Sequence, residues 1–274
     1  MTRRVAVAAA LVVLSLLVGS RWVVTRSSPA VLAQQPVATP SPSAGEEGLP
    51  TPSPPASPSP APVKTVAAPK PNPNRPRGGP FGSMRVTGRK SVALTFDDGP
   101  HPVWTPKVLD RLKAAGVKAT FCLIGSQVRK HPELVVRIVR EGHTLCNHTW
   151  NHELDLGKRP PAEIKANLEA TNRAIRRAVP GAKIPFFRHP GGMWTANAVK
   201  VADSLGMTSL DWDVDPRDWE TKDAKLIGSR VLSHARAGSI ILMHDGGGDR
   251  HGTLVACPNV ISTLKRRYGI TPLR

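Results

Sequence analysis

Two histidines, His148 and His152, stand four residues apart in His148-Thr149-Trp150-Asn151-His152. On a helical turn that spacing puts both imidazoles on one face, as a two-histidine metal site requires. A pair of this kind also serves as a cap or a packing contact. Two adjacent carboxylates, Asp97 and Asp98, close an apolar segment. Neighbouring carboxylates repel unless something neutralises them, and a divalent cation does so. The alternative is a plain turn at Asp98-Gly99-Pro100. Arg188 is followed by Gly191-Gly192, where the missing side chains let backbone approach a ligand. His244 and Asp245 follow the apolar run Ile240-Ile241-Leu242. A histidine at such a point suits a general acid or base.

These residues need elements to hold them. Apolar runs predict strands at 91–96, 118–124, 143–146, 186–187, 208–212 and 239–243. Helical periodicity predicts helices at 105–115, 132–141, 162–179, 196–205, 224–235 and 260–268. Strands alternating with helices imply an α/β domain of parallel β/α units, and six or seven units fit a barrel. The polar residues Asp97-Asp98, His148, Arg188, Asp213-Asp215 and His244 fall just after the strands. In a β/α barrel that C-terminal rim is where chemistry is assembled.

The chain has 274 residues and a formal charge of +18. Its prolines are unevenly spread, with 16 of 28 between residues 29 and 80. Residues 1–28 read as a signal peptide or signal anchor: Arg3 and Arg4 precede a long apolar run and belong on the cytoplasmic side. Residues 29–85 read as a Pro/Ser-rich linker that cannot bury enough apolar area to offset ordering entropy. Residues 86–274 are the one segment able to form a core. Only one long apolar run exists, which excludes a polytopic membrane protein. Three cysteines exclude a disulfide scaffold. Cys122 and Cys146 lie on neighbouring strands and are either bridged or buried as free thiols, while Cys257 is left over.

Five motifs carry a resemblance. Thr95-Phe96-Asp97-Asp98-Gly99-Pro100, His148-Thr149-Trp150-Asn151-His152, Arg188-His189-Pro190-Gly191-Gly192, Asp215-Pro216-Arg217-Asp218-Trp219 and Leu242-Met243-His244 occur in that order. The domain thereby resembles the polysaccharide deacetylases, the metal-dependent carbohydrate esterases of family four, over its whole globular part. The resemblance implies a deformed (β/α)7 barrel with the metal site at the C-terminal rim. It implies that Asp98, His148 and His152 hold Zn²⁺, or another divalent cation such as Co²⁺. It makes Asp97 the catalytic base, held by Arg188, and His244 the general acid, kept protonated by Asp218; a carboxylate beside a dication needs a fixed orientation, which a bidentate Arg188 would supply. Gly191 would offer its N–H to the oxyanion, and Trp219 and Leu242 would wall the acetyl-methyl pocket. His189 and Gly191 stand where the family often has a proline and an aromatic, and Trp194 would then supply the groove wall.

The function implied is hydrolysis of acetamide groups on N-acetylglucosamine polymers, peptidoglycan or chitin-like glycan. The rival readings are an O-acetyl esterase on acetylated xylan and a silent wall-binding module. A silent module would lack a ligand or the base, and none is missing. The expected setting is extracytoplasmic, secreted or tethered to the membrane by the N-terminal segment. The expected state is a monomer meeting a polysaccharide in the cell wall, with no nucleic acid.

Overall fold

The computed structural model describes residues 78–274; the expected signal or anchor, and all but the end of the expected linker, lie outside the described residues. Six strands form one parallel sheet: β1 (Ala93–Asp97), β2 (Thr120–Leu123), β3 (Thr144–Asn147), β4 (Phe186–Phe187), β5 (Thr208–Ser209) and β6 (Ile240–His244), in the order β5-β4-β3-β2-β1-β6. Helices α1 (Trp104–Ala115), α2 (Gly125–Lys130), α3 (Pro132–Arg140), α4 (Pro161–Ala178), α5 (Ala196–Ser204), α6 (Ala224–His234) and α7 (His251–Arg267) connect the strands or follow them. The curled sheet is drawn toward closure by residues 210–214. Leu210 bridges Met84, Val214 bridges Ile241, and the Leu242 N–H donates to the Val214 carbonyl at 2.9 Å. The place of a seventh strand in the expected barrel is thus held by single bridges.

Side-chain alternation along the strands decides what faces the barrel interior. In β1, Leu94 and Phe96 join the large core between sheet and helices, where Phe96 stacks on Phe121 at 5.4 Å. Ala93 and Ile240 belong to a second cluster, with Cys122, Cys146 and Phe186, inside the curl. Counting in twos from Ala93 gives Thr95 and Asp97, and from Ile240 gives Leu242 and His244. Register then sets the height: Asp97 is paired with His244 on one side and Cys122 on the other. The base and acid candidates therefore share one level at the rim.

Two helices depart from expectation. The short α2 was not expected. Its first N–H groups are satisfied by the histidine loop, with Gly125 N donating to Thr149 O and Ser126 N to Trp150 O, both at 2.9 Å. The last helix begins at His251 instead of residue 260 and runs through Pro258. Proline inside a helix costs about 3 kcal/mol. Here Leu254, Cys257, Ile261 and Leu264 are buried against the main core, which offsets that cost.

The open question about Cys122 and Cys146 resolves as a disulfide across directly paired residues, with Cα atoms 4.1 Å apart. Cys257 is free and buried, and burial pushes its thiol up to about 12. The bridge spans 24 residues, so chain-entropy arguments give it about 3 kcal/mol. Cys122→Ala with Cys146→Ala is expected to lower unfolding free energy by about that amount. Denaturant titration checks it, and an unchanged midpoint would make the bridge thermodynamically idle.

Candidate active site

Arg188 leaves the end of β4 and is wholly buried. Its Nη1 donates to Asp97 Oδ1 and to Thr95 Oγ1, each at 2.8 Å. Nε donates to Leu210 O at 3.1 Å and Nη2 to Asp211 O at 3.2 Å. The expected bidentate pair is therefore not formed. One nitrogen reaches the carboxylate, and the rest of the fork is spent on the backbone that bends across the barrel. Arg188 thus fixes Asp97 and the closing segment together. Lysine has one ammonium and cannot span these acceptors. Arg188→Lys is expected to lower turnover on the order of 10- to 100-fold, the worth of a charged hydrogen bond, with metal content far less affected. Parallel turnover and metal assays check this; an unaltered rate would remove Arg188 from the chemistry.

Asp98 follows β1, where alternation alone would send its side chain to the opposite face from Asp97. Its backbone instead turns left-handed, with φ 72°. Thr149 and His152 share this unusual conformation, at φ 65° and 61°. The histidine pair therefore does not ride on a helical turn as expected; it sits on an irregular loop after β3. The side chains still converge. His148 Nε2 lies 3.5 Å and His152 Nε2 3.3 Å from Asp98 Oδ1. Ligands at 2.0–2.2 Å from a tetrahedral centre lie about 3.3–3.6 Å apart. Asp98 Oδ1 is buried and makes no hydrogen bond among the described residues. His148 Nδ1 is 2.8 Å from the Arg188 carbonyl, which can only accept, so the proton sits on Nδ1 and Nε2 presents its lone pair. An orphaned carboxylate oxygen facing two imidazole nitrogens fits a divalent cation. Burial alone would raise the Asp98 pKa, but the facing imidazoles of His148, His244 and His152 hold it well below the usual carboxylate range.

His244 ends β6 with its Nδ1 2.7 Å from Asp218 Oδ1. Asp218 Oδ2 accepts from the His244 backbone N–H at 3.0 Å and from Thr253 Oγ1 at 2.7 Å. Burial would lower the imidazole pKa, but the Asp218 carboxylate outweighs it and lifts His244 to about 9. Asp218 itself is raised by burial and, more strongly, lowered by His244 and Thr253. The pair is an imidazolium and a carboxylate at neutral pH.

Asp97, Asp98, His148, His152 and His244 line one pocket of about 350 Å³, with Gly191, Leu242, Trp219 and Trp212 on its walls. Gly191 has φ 59°. A side chain there would press on Leu154 Cδ2 at 3.0 Å, so the glycine keeps this wall low. An acid, a base and a cation site around one small cavity can hydrolyse an acyl bond.

Residues 85–210 match the family model described as polysaccharide deacetylase. The chitooligosaccharide deacetylase of Bradyrhizobium sp. (strain ANU 289) is 42% identical over 200 residues, covering 69% of this chain and 91% of the relative. The chain belongs to the polysaccharide deacetylase family. It is a deacetylase by family, a hydrolase acting on acetyl groups. The peptidoglycan-N-acetylglucosamine deacetylase of Bacillus cereus (strain ATCC 14579) is 36% identical over 181 residues, covering 65% of this chain and 83% of the relative. A solved peptidoglycan N-acetylglucosamine deacetylase, bound to a naphthyl N-oxidanyl-benzamide, superposes with TM-score 0.65 at 36% identity, covering 71% of this chain and 88% of the other.

Within this deacetylase domain some expected site residues fall elsewhere. Trp194 is not a groove wall. It is 8% exposed, its indole N–H donates to Asp211 Oδ1 at 3.2 Å, and its ring meets Phe187 edge-on. His189 is buried beside it and accepts the Gly157 N–H at Nε2. Asp213 does not reach the rim; it accepts from Ser239 and the Ile240 N–H at the start of β6. Trp212 packs against the second cluster and also reaches the pocket under the Arg188 guanidinium. Asp215 and Arg250 also line the pocket, whereas Asp249 turns away to Lys222. Asp245 is buried outside the pocket, accepts from Thr105 at 2.5 Å, and is pushed by burial up to about 7. The supporting hydroxyls of Thr95 and Thr253 were not singled out from sequence. The only signal for Thr95 was its place two residues before Asp97 on one strand face.

Proposed function

We propose that the chain is an exported, metal-dependent N-deacetylase of N-acetylglucosamine polymers, with peptidoglycan or a chitin-like glycan as substrate. The observation that carries this is the meeting of Asp97, the Asp98/His148/His152 cluster and an imidazolium His244 around one pocket. Relatives named for chitooligosaccharide and peptidoglycan N-acetylglucosamine support the substrate class.

Asp98, His148 and His152 would hold the cation, zinc or cobalt. When bound, it supplies Lewis acidity and lowers the pKa of water. Asp97, oriented by Arg188, takes the proton from the attacking water. Gly191 lines the pocket, and its N–H would donate to the developing oxyanion. The His244 Nε2–H gives its proton to the departing nitrogen as the C–N bond breaks, and Asp218 holds the other ring nitrogen. Acetate and a free amine result. Leu242 and Trp219 give the acetyl methyl an apolar wall. The basic, apolar residues 1–28 and the Pro/Ser-rich residues 29–85 support an extracytoplasmic setting, secreted or membrane-tethered.

The test is acetate release by the full chain, supplied with Zn²⁺ or Co²⁺, from N-acetylchitooligosaccharide, peptidoglycan and acetylated xylan. Release from the N-acetylated substrates is expected. Release from xylan alone would make the chain an O-acetyl esterase, and no release from any would make it a silent module.

A further inference from the structure

Away from the catalytic pocket, α2 and α4 enclose a cleft of about 370 Å³. Three arginines line it: Arg129 from α2, and Arg173 and Arg177 from α4. All three are exposed. Arg129 lies over the Trp150 ring at 5.3 Å. Glu169, one turn before Arg173, approaches it at only 3.8 Å. Among the described residues, Arg129 and Arg177 have no carboxylate partner, and no acid lines the cleft. The floor is small and apolar, with Val128, Ala170 and Ala174.

Like charges four residues apart on a helix destabilise it. Arg173 has only a long pairing to Glu169 and Arg129 lies over Trp150, so an anion entering the cleft would meet all three guanidinium groups. Guanidinium forks match phosphate oxygens, often through two parallel hydrogen bonds. Arg173 and Arg177 stand about 6 Å apart along α4, a spacing that successive phosphates on a short polyol can meet. The alanine floor leaves room for the carbons between them. Trp150 also belongs to the His148–His152 loop, so the cleft and the catalytic pocket share that loop. We propose that this arginine cleft is a second binding site, distinct from the acetyl pocket, for a phosphodiester-linked polyol chain.

The experiment is calorimetric titration of the full chain with a synthetic glycerol-phosphate oligomer at low salt. Comparison titrations use inorganic phosphate and a single-stranded oligonucleotide of equal charge. Binding of the oligomer is expected to weaken on the order of 10- to 100-fold in Arg173→Gln with Arg177→Gln, two exposed positions on α4, while thermal unfolding is unchanged. Acetate release from neutral chitooligosaccharide by the same variant is expected to stay at the parent rate. Undiminished oligomer binding by the variant would overturn the site. Inorganic phosphate binding as tightly as the oligomer would reduce it to a free-anion site. Tighter binding of the oligonucleotide would replace the polyol chain with nucleic acid as the ligand. Any of these leaves the deacetylase reading untouched, because the readout is binding and not turnover.

Discussion

Asparagine in place of Asp97 is expected to slow acetate release on the order of 10²–10⁴-fold while leaving the cation bound. The substitution keeps shape and an acceptor for Arg188 Nη1, which sits 2.8 Å from Asp97 Oδ1. It removes the ability to take a proton. Asp97 Oδ2 lies 3.7 Å from His148 Nε2, beside the candidate cation site, where an attacking water would stand. The proposed ligands Asp98, His148 and His152 are untouched, so metal analysis should read the same for variant and parent. Acetate assays with a matched metal determination check the split. Parallel loss of metal and activity would make Asp97 a ligand, and an unaltered rate would move the base elsewhere.

His244 is expected to matter as much, and in a pH-dependent way. His244→Ala should cost on the order of 10²–10⁴ in rate on an amide, because the departing nitrogen needs a proton. The parent imidazole is held up to about 9 by Asp218, against the opposing effect of burial. A raised folded value makes this charge stabilising at low pH and lost as pH rises through about 9. Asp218 has the opposite sign: its pKa is lowered, so its contribution disappears as pH falls through that lowered value. Activity should therefore decline on the alkaline side near 9. Asp218→Asn removes the charge that opposes burial and should move that limb to lower pH, toward or below the ordinary histidine value of about 6.5. A pH–rate profile of the two proteins reads this directly. A stationary limb would leave Asp218 a purely structural partner.

Much of this was legible because strands obey a period of two. The apolar runs at β1 and β6 located Asp97 and His244, and alternation with register brings them level. Asp98, His148 and His152 were legible as residue types in a motif, but their geometry was not. The left-handed backbone at Asp98 and His152 is a tertiary product that no periodicity reports. Trp194 misled because it was expected to replace the aromatic that the third motif lacks, whereas its hydrogen bond to Asp211 joins residues 17 apart. Helix α2 is only six residues long and capped by carbonyls of a distant loop, so its signal is not local. Pro258 hid the first half of α7, since its buried face, not its propensity, keeps the helix continuous.

On the proposed function, one cation held by Asp98, His148 and His152 would make acetyl hydrolysis possible. Its most direct test strips the full chain with a chelator, restores Zn²⁺ or Co²⁺, and measures bound metal beside acetate release from N-acetylchitooligosaccharide. One ion per chain, loss of activity on stripping, recovery on restoration, and neither metal nor activity in His148→Ala are expected. Acetate release at the full rate from metal-free protein would contradict it.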